Sequence, residues 1–204
     1  PKPREGLLLP EQELHYYDPE TIKPELLVEY RFAFIDPADE GGDDLSAPMG
    51  YLIGNKIYVV DAIYNKLGTD INEPRCVEFM KHHRCEAAQI ESNSAWTLFT
   101  SAIKNKMQED GSDCDIRRIK NTTNKHTRIL AQSAFIKNHF VFRKDWATCG
   151  IEYRRFFENL TAYRAVQKGT SRNAHDDAPD SVAGMAKYFR SNFPHLWKVV
   201  TQEG

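Results

Sequence analysis

The sequence predicts an α/β fold in which one mixed sheet, made of three antiparallel strands followed by parallel strands, is flanked by helices. The continuous apolar run Phe32–Ile35 stops at Asp36-Pro37, which is typical of a central strand buried on both faces. Two further apolar runs, 49–53 and 56–64, are separated by Gly54-Asn55, a two-residue hairpin signal. The pattern then changes to alternating helices and strands, which favours one sheet with helices on its faces.

The helical part begins with a segment whose start is marked by two polar residues. Asn72 or Glu73 is expected to cap a helix that carries Pro74 in its first turn and runs to about His83. A short apolar strand over residues 87–90 follows, and it ends at a glutamate.

Four more helices and two short strands complete the prediction. The helices begin near Ser94, near Thr122 or Thr123, at residue 150 and within 175–180, and the strands cover 115–120 and 139–143. Apolar residues at helical spacing define the faces expected to pack inward. These are Ala95, Leu98, Phe99, Ala102 and Ile103; Leu130, Ala131, Ala134 and Phe135; Tyr153, Phe156, Phe157 and Leu160; and Val182, Ala186 and Phe189.

Composition limits the classes of function. The 204 residues fit one domain, with 41% hydrophobic and 27% charged residues, and a net charge of −2 provides no overall basic field. A nucleic-acid partner must therefore be bound by a local basic patch. No apolar stretch approaches the ~18 residues of a membrane helix. The four cysteines form no C-x-x-C pair, so neither a zinc site nor a disulfide framework is expected, and we expect a reducing compartment.

Acidic residues fall at the ends of predicted elements. Asp36 ends the first strand, Glu91 ends the fourth, and Asp176, Asp177 and Asp180 open the last helix. Because the ends of neighbouring strands converge on one crevice, these carboxylates are expected to meet there. Clustered carboxylates repel one another unless a cation neutralises them, and oxygen ligands suit Mg²⁺ or Mn²⁺. Two such ions hold both the attacking and the leaving oxygen of a phosphodiester.

Each of these acids also has an ordinary interpretation. Asp36 is able to start a turn with Pro37, Glu91 to begin a loop, and Asp177 to cap its helix. Their joint placement at element ends favours the functional interpretation. Asp44 and His175 are secondary candidates, because Asp44 is more typical of a solvated glycine-rich loop and His175 of an exposed turn.

A basic stretch is the candidate DNA contact. It spans a predicted strand end, its loop and the first turn of a helix, where backbone N–H groups also favour phosphate. A solvated charged loop is the alternative. The proposed contacts to the DNA backbone are Arg118, Lys120, Lys125 and Arg128.

Several stretches carry a resemblance to a known family. RFAFIDPADEGGDD, AAQIESN and HDDAPDSVAG resemble the C-terminal nuclease domain of the large terminase subunit of tailed bacteriophages. NKHTRILAQSAFIKNHFVF is similar to the segment that precedes the final acidic cluster in that family. The resemblance implies a ribonuclease H-like fold and metal-dependent endonuclease activity on concatemeric viral DNA, that is, genomes joined end to end. It also implies that Asp36, Glu91 and Asp177 are catalytic and bind metal, with Asp176 and Asp180 as further metal ligands.

The same resemblance implies an organisation and a set of partners. Residues 1–30 look like the linker from an ATPase domain, and residues 31–204 like the nuclease domain. No G-x-x-x-x-G-K-[ST] motif is present, so this chain is not expected to translocate DNA by itself. Double-stranded DNA, a portal protein and a small terminase subunit are the implied partners, with two Mg²⁺ or Mn²⁺ ions as cofactors. An isolated domain of this kind is expected to be monomeric and to work in the cytoplasm of an infected or lysogenic bacterial host.

Two alternatives remain open. Another ribonuclease H-like nuclease, such as a junction resolvase, has the same arrangement of acids. A non-catalytic structural module of the packaging machinery would use the acids only as caps and turns. Titration with a divalent ion separates a nuclease from such a module, because a scaffold has no reason to bind Mn²⁺ at clustered acids.

Overall fold

A computed structural model describes residues 6–37, 44–92, 97–165 and 176–197. Within these ranges seven strands form one mixed sheet with the order β1-β7-β4-β3-β2-β5-β6. The strands are β1 His15–Tyr17, β2 Tyr30–Ile35, β3 Leu45–Ile53, β4 Lys56–Asn65, β5 Ala87–Glu91, β6 Asp115–Ile119 and β7 Phe140–Arg143.

The pairing confirms the predicted mixed sheet. Strands β2, β3 and β4 form an antiparallel meander, whereas the β1–β7, β4–β7, β2–β5 and β5–β6 pairs are parallel. Gly54 and Asn55 make the tight turn between β3 and β4, and Gly54 has a φ of +59°, which a glycine adopts without steric cost.

Helices cover both faces of the sheet. They are α1 Pro24–Leu27, α2 Thr69–His82, α3 Thr97–Glu109, α4 Lys125–His139, α5 Ile151–Ala162 and α6 Asp177–Asn192. Side chains of α2 and α3 pack in the core on one face, and those of α4, α5 and α6 pack in the core on the other. The acids at the start of α6 therefore lie on the same side of the sheet as α4.

The predicted start of α2 was wrong by several residues. The helix begins at Thr69, so Pro74 lies in its interior rather than in its first turn. Asn72 is buried, and its side-chain Nδ2 donates to the carbonyl of Leu67 at 2.7 Å instead of capping the helix. The amide thereby holds the loop before the helix.

Two predicted inward faces were right only in part, since Phe99 and Ile103 of α3 and Phe135 of α4 are buried as predicted. Leu98 of α3 is 82% exposed, and the three α4 residues Leu130, Ala131 and Ala134 are exposed. The buried residues of α4 are Ile129, Phe135 and Ile136. Apolar residues lie on two adjoining faces of this helix, and contact with the sheet selects one of them. The predicted faces of α5 and α6 are confirmed, and Ser94 and Ala95 lie outside the described residues.

The segment before β2 packs against the core where it is described. Strand β1 pairs in parallel with β7 at the edge of the sheet. Leu8 and Leu9 are buried, and the Leu8 N–H donates to the carbonyl of Tyr163 at 2.9 Å. A domain boundary at residue 30 stays a prediction.

Helix α6 packs directly against β2 at Gly184, a residue that lacks a side chain. A Cβ atom on Gly184 would lie 2.3 Å from Cε2 of Phe34 on β2, closer than two carbons approach. The absence of that atom lets the helix axis settle against β2. This contact fixes where the first turn of α6, with its acidic residues, meets the end of β2.

Candidate metal centre

Two neighbouring strands deliver the first two carboxylates. Asp36 directly follows β2, and its backbone is held by paired hydrogen bonds with Ser46 of 2.9 and 3.0 Å. Glu91 is the last residue of β5, which runs parallel to β2 with Ile35 beside Ile90. The two acids therefore emerge at the same edge of the sheet, as the sequence predicted.

A third carboxylate comes from the first turn of α6. One carboxylate oxygen from each of Asp36, Glu91 and Asp180 lies within 4.8 Å of the others, and we call this group the acid trio. Asp36 and Asp180 are buried, at 8% and 2% exposure. The Oδ2 of Asp36 is fully buried and accepts no hydrogen bond in the described part of the chain. A buried oxygen that lacks a hydrogen bond and lies beside two further carboxylates suits a hard divalent cation.

Burial disfavours the ionised forms of two members of the trio, Asp36 and Asp180. It raises the pKa of Asp36 well above its ordinary value; Lys125 opposes this effect, and the carboxylates of Asp180 and Glu91 add to it. Burial likewise raises the pKa of Asp180 to about 6, despite a hydrogen bond from Arg128 that favours the ionised form. A bound cation would remove this repulsion.

One lysine is enclosed by four carboxylates. The Nζ of Lys125 lies 3.1 Å from Asp176 Oδ1, 3.2 Å from Asp177 Oδ1, 3.7 Å from Asp36 Oδ2 and 3.9 Å from Asp180 Oδ2. Burial opposes the charge of the ammonium, but these carboxylates outweigh it and raise the pKa of Lys125. The ammonium thus supplies positive charge at a place that favours a cation.

A second cation and an amide fix the other trio members. Arg128 forms a two-pronged hydrogen bond with Asp180, and its Nη2 lies 3.5 Å from Glu91 Oε1. Asn121 donates from Nδ2 to Glu91 Oε2 at 2.8 Å. Asn121 was not among the predicted site residues, because a single asparagine in a loop carries no motif.

Lys125 and Arg128 therefore face carboxylates, although the sequence analysis assigned them to the DNA backbone. Of the other two predicted DNA contacts, Arg118 is exposed and donates to Thr97 Oγ1 at 2.9 Å, and Lys120 is exposed. The assignment of all four to DNA binding stays a prediction.

Asp177 and Asp44 lie beside the trio and contact each other. Asp177 Oδ2 accepts a hydrogen bond from the backbone N–H of Asp44 at 3.1 Å. Asp44 is 4% exposed and accepts from Arg155 Nη2 at 3.0 Å, so it does not lie in a solvated loop as the sequence suggested. The role of Asp177 as a metal ligand stays a prediction, and His175 lies outside the described residues.

Solved structures of viral terminase nuclease domains share this fold. The human cytomegalovirus terminase nuclease domain, manganese-soaked and inhibitor-bound, is similar with a TM-score of 0.62 and 11% identity, over 91% of this chain and 96% of that one. The nuclease domain of the large terminase subunit of bacterial virus Sf6 has a TM-score of 0.53 and 11% identity, over 81% and 97%.

A third similar structure extends beyond this domain. The large terminase of a thermophilic bacteriophage gives a TM-score of 0.57 and 12% identity, and the match covers 89% of this chain but 43% of that one. At these identities the likeness concerns the fold alone. No curated protein matches the sequence.

The sequence itself provides the family. Residues 35–139, just over half of the chain, match the family described as "Terminase Bacteriophage T7, Ribonuclease H-like domain". This range contains two members of the acid trio, Asp36 and Glu91, and all of β3 to α4. Among the described residues, no helix is long and apolar enough to cross a membrane. The match confirms the resemblance seen in the sequence, and the chain belongs to the ribonuclease H-like domain family of bacteriophage T7-type terminases.

Proposed function

We propose that this domain is a metal-dependent DNA endonuclease that cuts concatemeric viral DNA during genome packaging. The observation that carries the proposal is the acid trio at the edge of the sheet, with a buried Asp36 oxygen that accepts no hydrogen bond from the described residues. A purely structural module has no need for three carboxylates in repulsive contact, because buried charges destabilise a fold unless they are compensated.

We infer that Asp36, Glu91 and Asp180 hold one divalent cation. Asp176 and Asp177, which contact Lys125 on its other side, are the candidates to complete a second position. Asp180 thus takes the place that the sequence analysis gave to Asp177, while Asp177 remains beside it. The manganese soak of the cytomegalovirus domain supports Mn²⁺ or Mg²⁺ as the ion. When bound, the two ions would stabilise the charge that develops on the phosphate oxygens during hydrolysis.

The protein's own residues prepare this centre. Arg128 stabilises the ionised form of Asp180 through its two hydrogen bonds, so that carboxylate is available as a ligand near neutral pH. Asn121 fixes the orientation of Glu91 through Oε2, and the other carboxylate oxygen, Oε1, lies 3.5 Å from Arg128 Nη2. The Lys125 ammonium neutralises the carboxylates before metal binds, and its flexible side chain is then placed to turn towards the phosphate of the substrate.

The family supports the remaining assignments. We propose double-stranded DNA as substrate, with a portal protein and a small terminase subunit as partners, in the cytoplasm of the bacterial host. A junction resolvase would share the carboxylates but not the sequence match to terminases.

Cleavage of supercoiled plasmid tests the proposal. We expect the wild-type chain to nick plasmid in millimolar Mn²⁺ and to be inactive in EDTA, and we expect Asp36→Asn to be inactive in both. Asp113→Asn is the matched control, because Asp113 is exposed and its carboxylate makes no hydrogen bond or ion pair with another described residue. Nicking by Asp36→Asn at the wild-type rate would overturn the assignment, and no nicking by the wild-type chain would favour the structural module.

A further inference from the structure

A cavity of about 490 Å³ opens beside the acid trio, between α4 and α6. Asn121 and Arg128, which hold Glu91 and Asp180, also line this cavity. Its volume lies within the range of pockets that bind small molecules, about 300–1,000 Å³. The cavity therefore adjoins the candidate metal centre through these two side chains, and its volume is large enough for one nucleotide.

Its charge differs from that of the metal centre. Lys120 and Lys187 line the cavity, and neither has a carboxylate within 4.0 Å among the described residues. Lys125 and Arg128, by contrast, are both engaged by acids. The lysines of the cavity remain available for an anion, and a phosphate group is the anion that a DNA strand supplies.

The walls carry polar groups that are free to bind. Gln89 lies two residues before Glu91 on β5, so both side chains point to the same face of the sheet. The amide of Gln89 and the hydroxyls of Thr123 and Thr127 make no hydrogen bond in the ranges that the structure describes. Amide groups of this kind pair with the edges of bases.

Aromatic and apolar surface completes the lining. Phe34 and Tyr188 contribute to the wall, and the Tyr188 ring is itself held against Phe32 with centroids 3.7 Å apart. The aromatic side chain and the free amides suit the base of a nucleotide, and the lysines suit its phosphate.

We propose that this cavity binds one unpaired nucleotide of the strand being cut, next to the scissile phosphate. The inference rests on the proposed function, since it places the cavity along the path of a DNA strand through the metal centre. A base stacked and paired in a duplex cannot enter a cavity between two helices, so the strand must be locally unpaired there. The substrate is thus DNA with a frayed or open segment at the cutting point.

Binding of a single strand without metal tests the cavity directly. Fluorescein-labelled hexathymidylate is titrated in EDTA with the wild-type chain, with Lys187→Ala, with Gln89→Ala and with Lys104→Ala. Lys104 is the control, because it is an exposed lysine on α3, which packs on the opposite face of the sheet. We expect Lys187→Ala and Gln89→Ala each to weaken binding about fivefold or more, a loss of about 1 kcal/mol or more, and Lys104→Ala to match the wild-type chain. Equal affinity of all four proteins would overturn the inference.

Competition experiments distinguish an unpaired nucleotide from a paired duplex as the ligand of the cavity. Cleavage assays distinguish the cavity proposal from the endonuclease proposal. Thymidine monophosphate should displace the labelled strand from the wild-type chain, whereas a fully paired duplex should displace it poorly; displacement by the duplex at equal concentration would contradict an unpaired nucleotide. In Mn²⁺, a duplex with a three-base bubble should be cut faster than its fully paired counterpart. If the chain binds hexathymidylate through Lys187 and Gln89 but cuts no DNA, the cavity proposal is supported and the endonuclease proposal is wrong. If the wild-type chain cuts DNA and both variants bind and cut like the wild-type chain, the endonuclease proposal is supported and the cavity proposal is wrong.

Discussion

The Nζ of Lys125 lies 3.7 Å from the Oδ2 of Asp36, an oxygen that has no hydrogen-bond partner in the described part of the chain. The same ammonium is closer to Asp176 and Asp177, at 3.1 and 3.2 Å. Without a metal ion, the ammonium of Lys125 supplies much of the positive charge that offsets the repulsion among these carboxylates. Metal and lysine therefore compete for the same carboxylates.

Removing that ammonium should destabilise the metal-free protein and favour metal binding. We expect Lys125→Met to lower the free energy of unfolding in EDTA by about 2–3 kcal/mol, since it removes a cation from beside the buried carboxylates of Asp36 and Asp177. In millimolar Mn²⁺ the variant should recover most of that loss and bind the ion more tightly than the wild-type chain. Melting temperatures with and without Mn²⁺ measure both effects, with Lys104→Met as the control. A smaller Mn²⁺ shift in Lys125→Met than in the wild-type chain would contradict the competition.

Asp36→Asn should stabilise the metal-free protein while removing its response to metal. The substitution replaces a buried carboxylate whose ionisation is opposed by burial and by the neighbouring acids. We expect the variant to have a higher free energy of unfolding than the wild-type chain at pH 7.5, read from urea unfolding. The exposed control Asp113→Asn should change stability by less than about 0.5 kcal/mol. A clear loss of stability in Asp36→Asn would show that the charge of Asp36 stabilises the fold.

Stability should fall with rising pH through the titration of Asp180. Its pKa is raised from 3.8 to about 6, so the folded chain keeps a proton that the unfolded chain releases. The resulting contribution is fully present below pH 3.8 and is lost as the pH rises through about 6. Relative to Asp180→Asn, the wild-type chain should lose about 3 kcal/mol between about pH 4 and pH 7, at 1.36 kcal/mol per pKa unit.

Urea unfolding at several pH values checks this difference. Mn²⁺ should reverse the trend in the wild-type chain, because the ion binds the ionised carboxylate and its affinity rises with pH up to about 6. Parallel pH curves for the wild-type chain and Asp180→Asn would refute the assigned titration.

Gly184→Ala should disturb the centre from a distance. The added Cβ would lie 2.3 Å from Cε2 of Phe34, so α6 must shift away from β2. We expect a loss of about 1–3 kcal/mol, the usual cost of overpacking a core, together with weaker Mn²⁺ binding because Asp180 moves with the helix. Ser191→Ala is the control, as Ser191 is exposed on the same helix. Unchanged Mn²⁺ affinity in a destabilised Gly184→Ala would show that the centre does not depend on this packing.

The sheet was predictable because its signals are local. The apolar run before Asp36 and the Gly54-Asn55 turn each specify one strand end, and strand ends place Asp36 and Glu91 at one edge. Strand β1 escaped prediction because it has three residues, too few to show alternation, and its pairing with β7 joins distant parts of the chain.

The site was predictable in its acids but not in their partners. Periodicity places Asp177 and Asp180 on adjoining parts of one helix, and only the packing of α6 on β2 decides which of them approaches Glu91. Lys125 and Arg128 read as a basic patch because a sequence shows their charge but not the carboxylates that surround them. Long-range packing, which residue type does not reveal, places these two basic side chains against the carboxylates of the candidate metal centre.

Anomalous scattering from a crystal soaked in Mn²⁺ is the most direct test of the metal centre. We predict a manganese peak bounded by the carboxylates of Asp36, Glu91 and Asp180, with the Lys125 ammonium moved away from Asp36. A crystal soaked in millimolar Mn²⁺ that shows no peak at these carboxylates, with Lys125 still 3.7 Å from Asp36, would contradict the account.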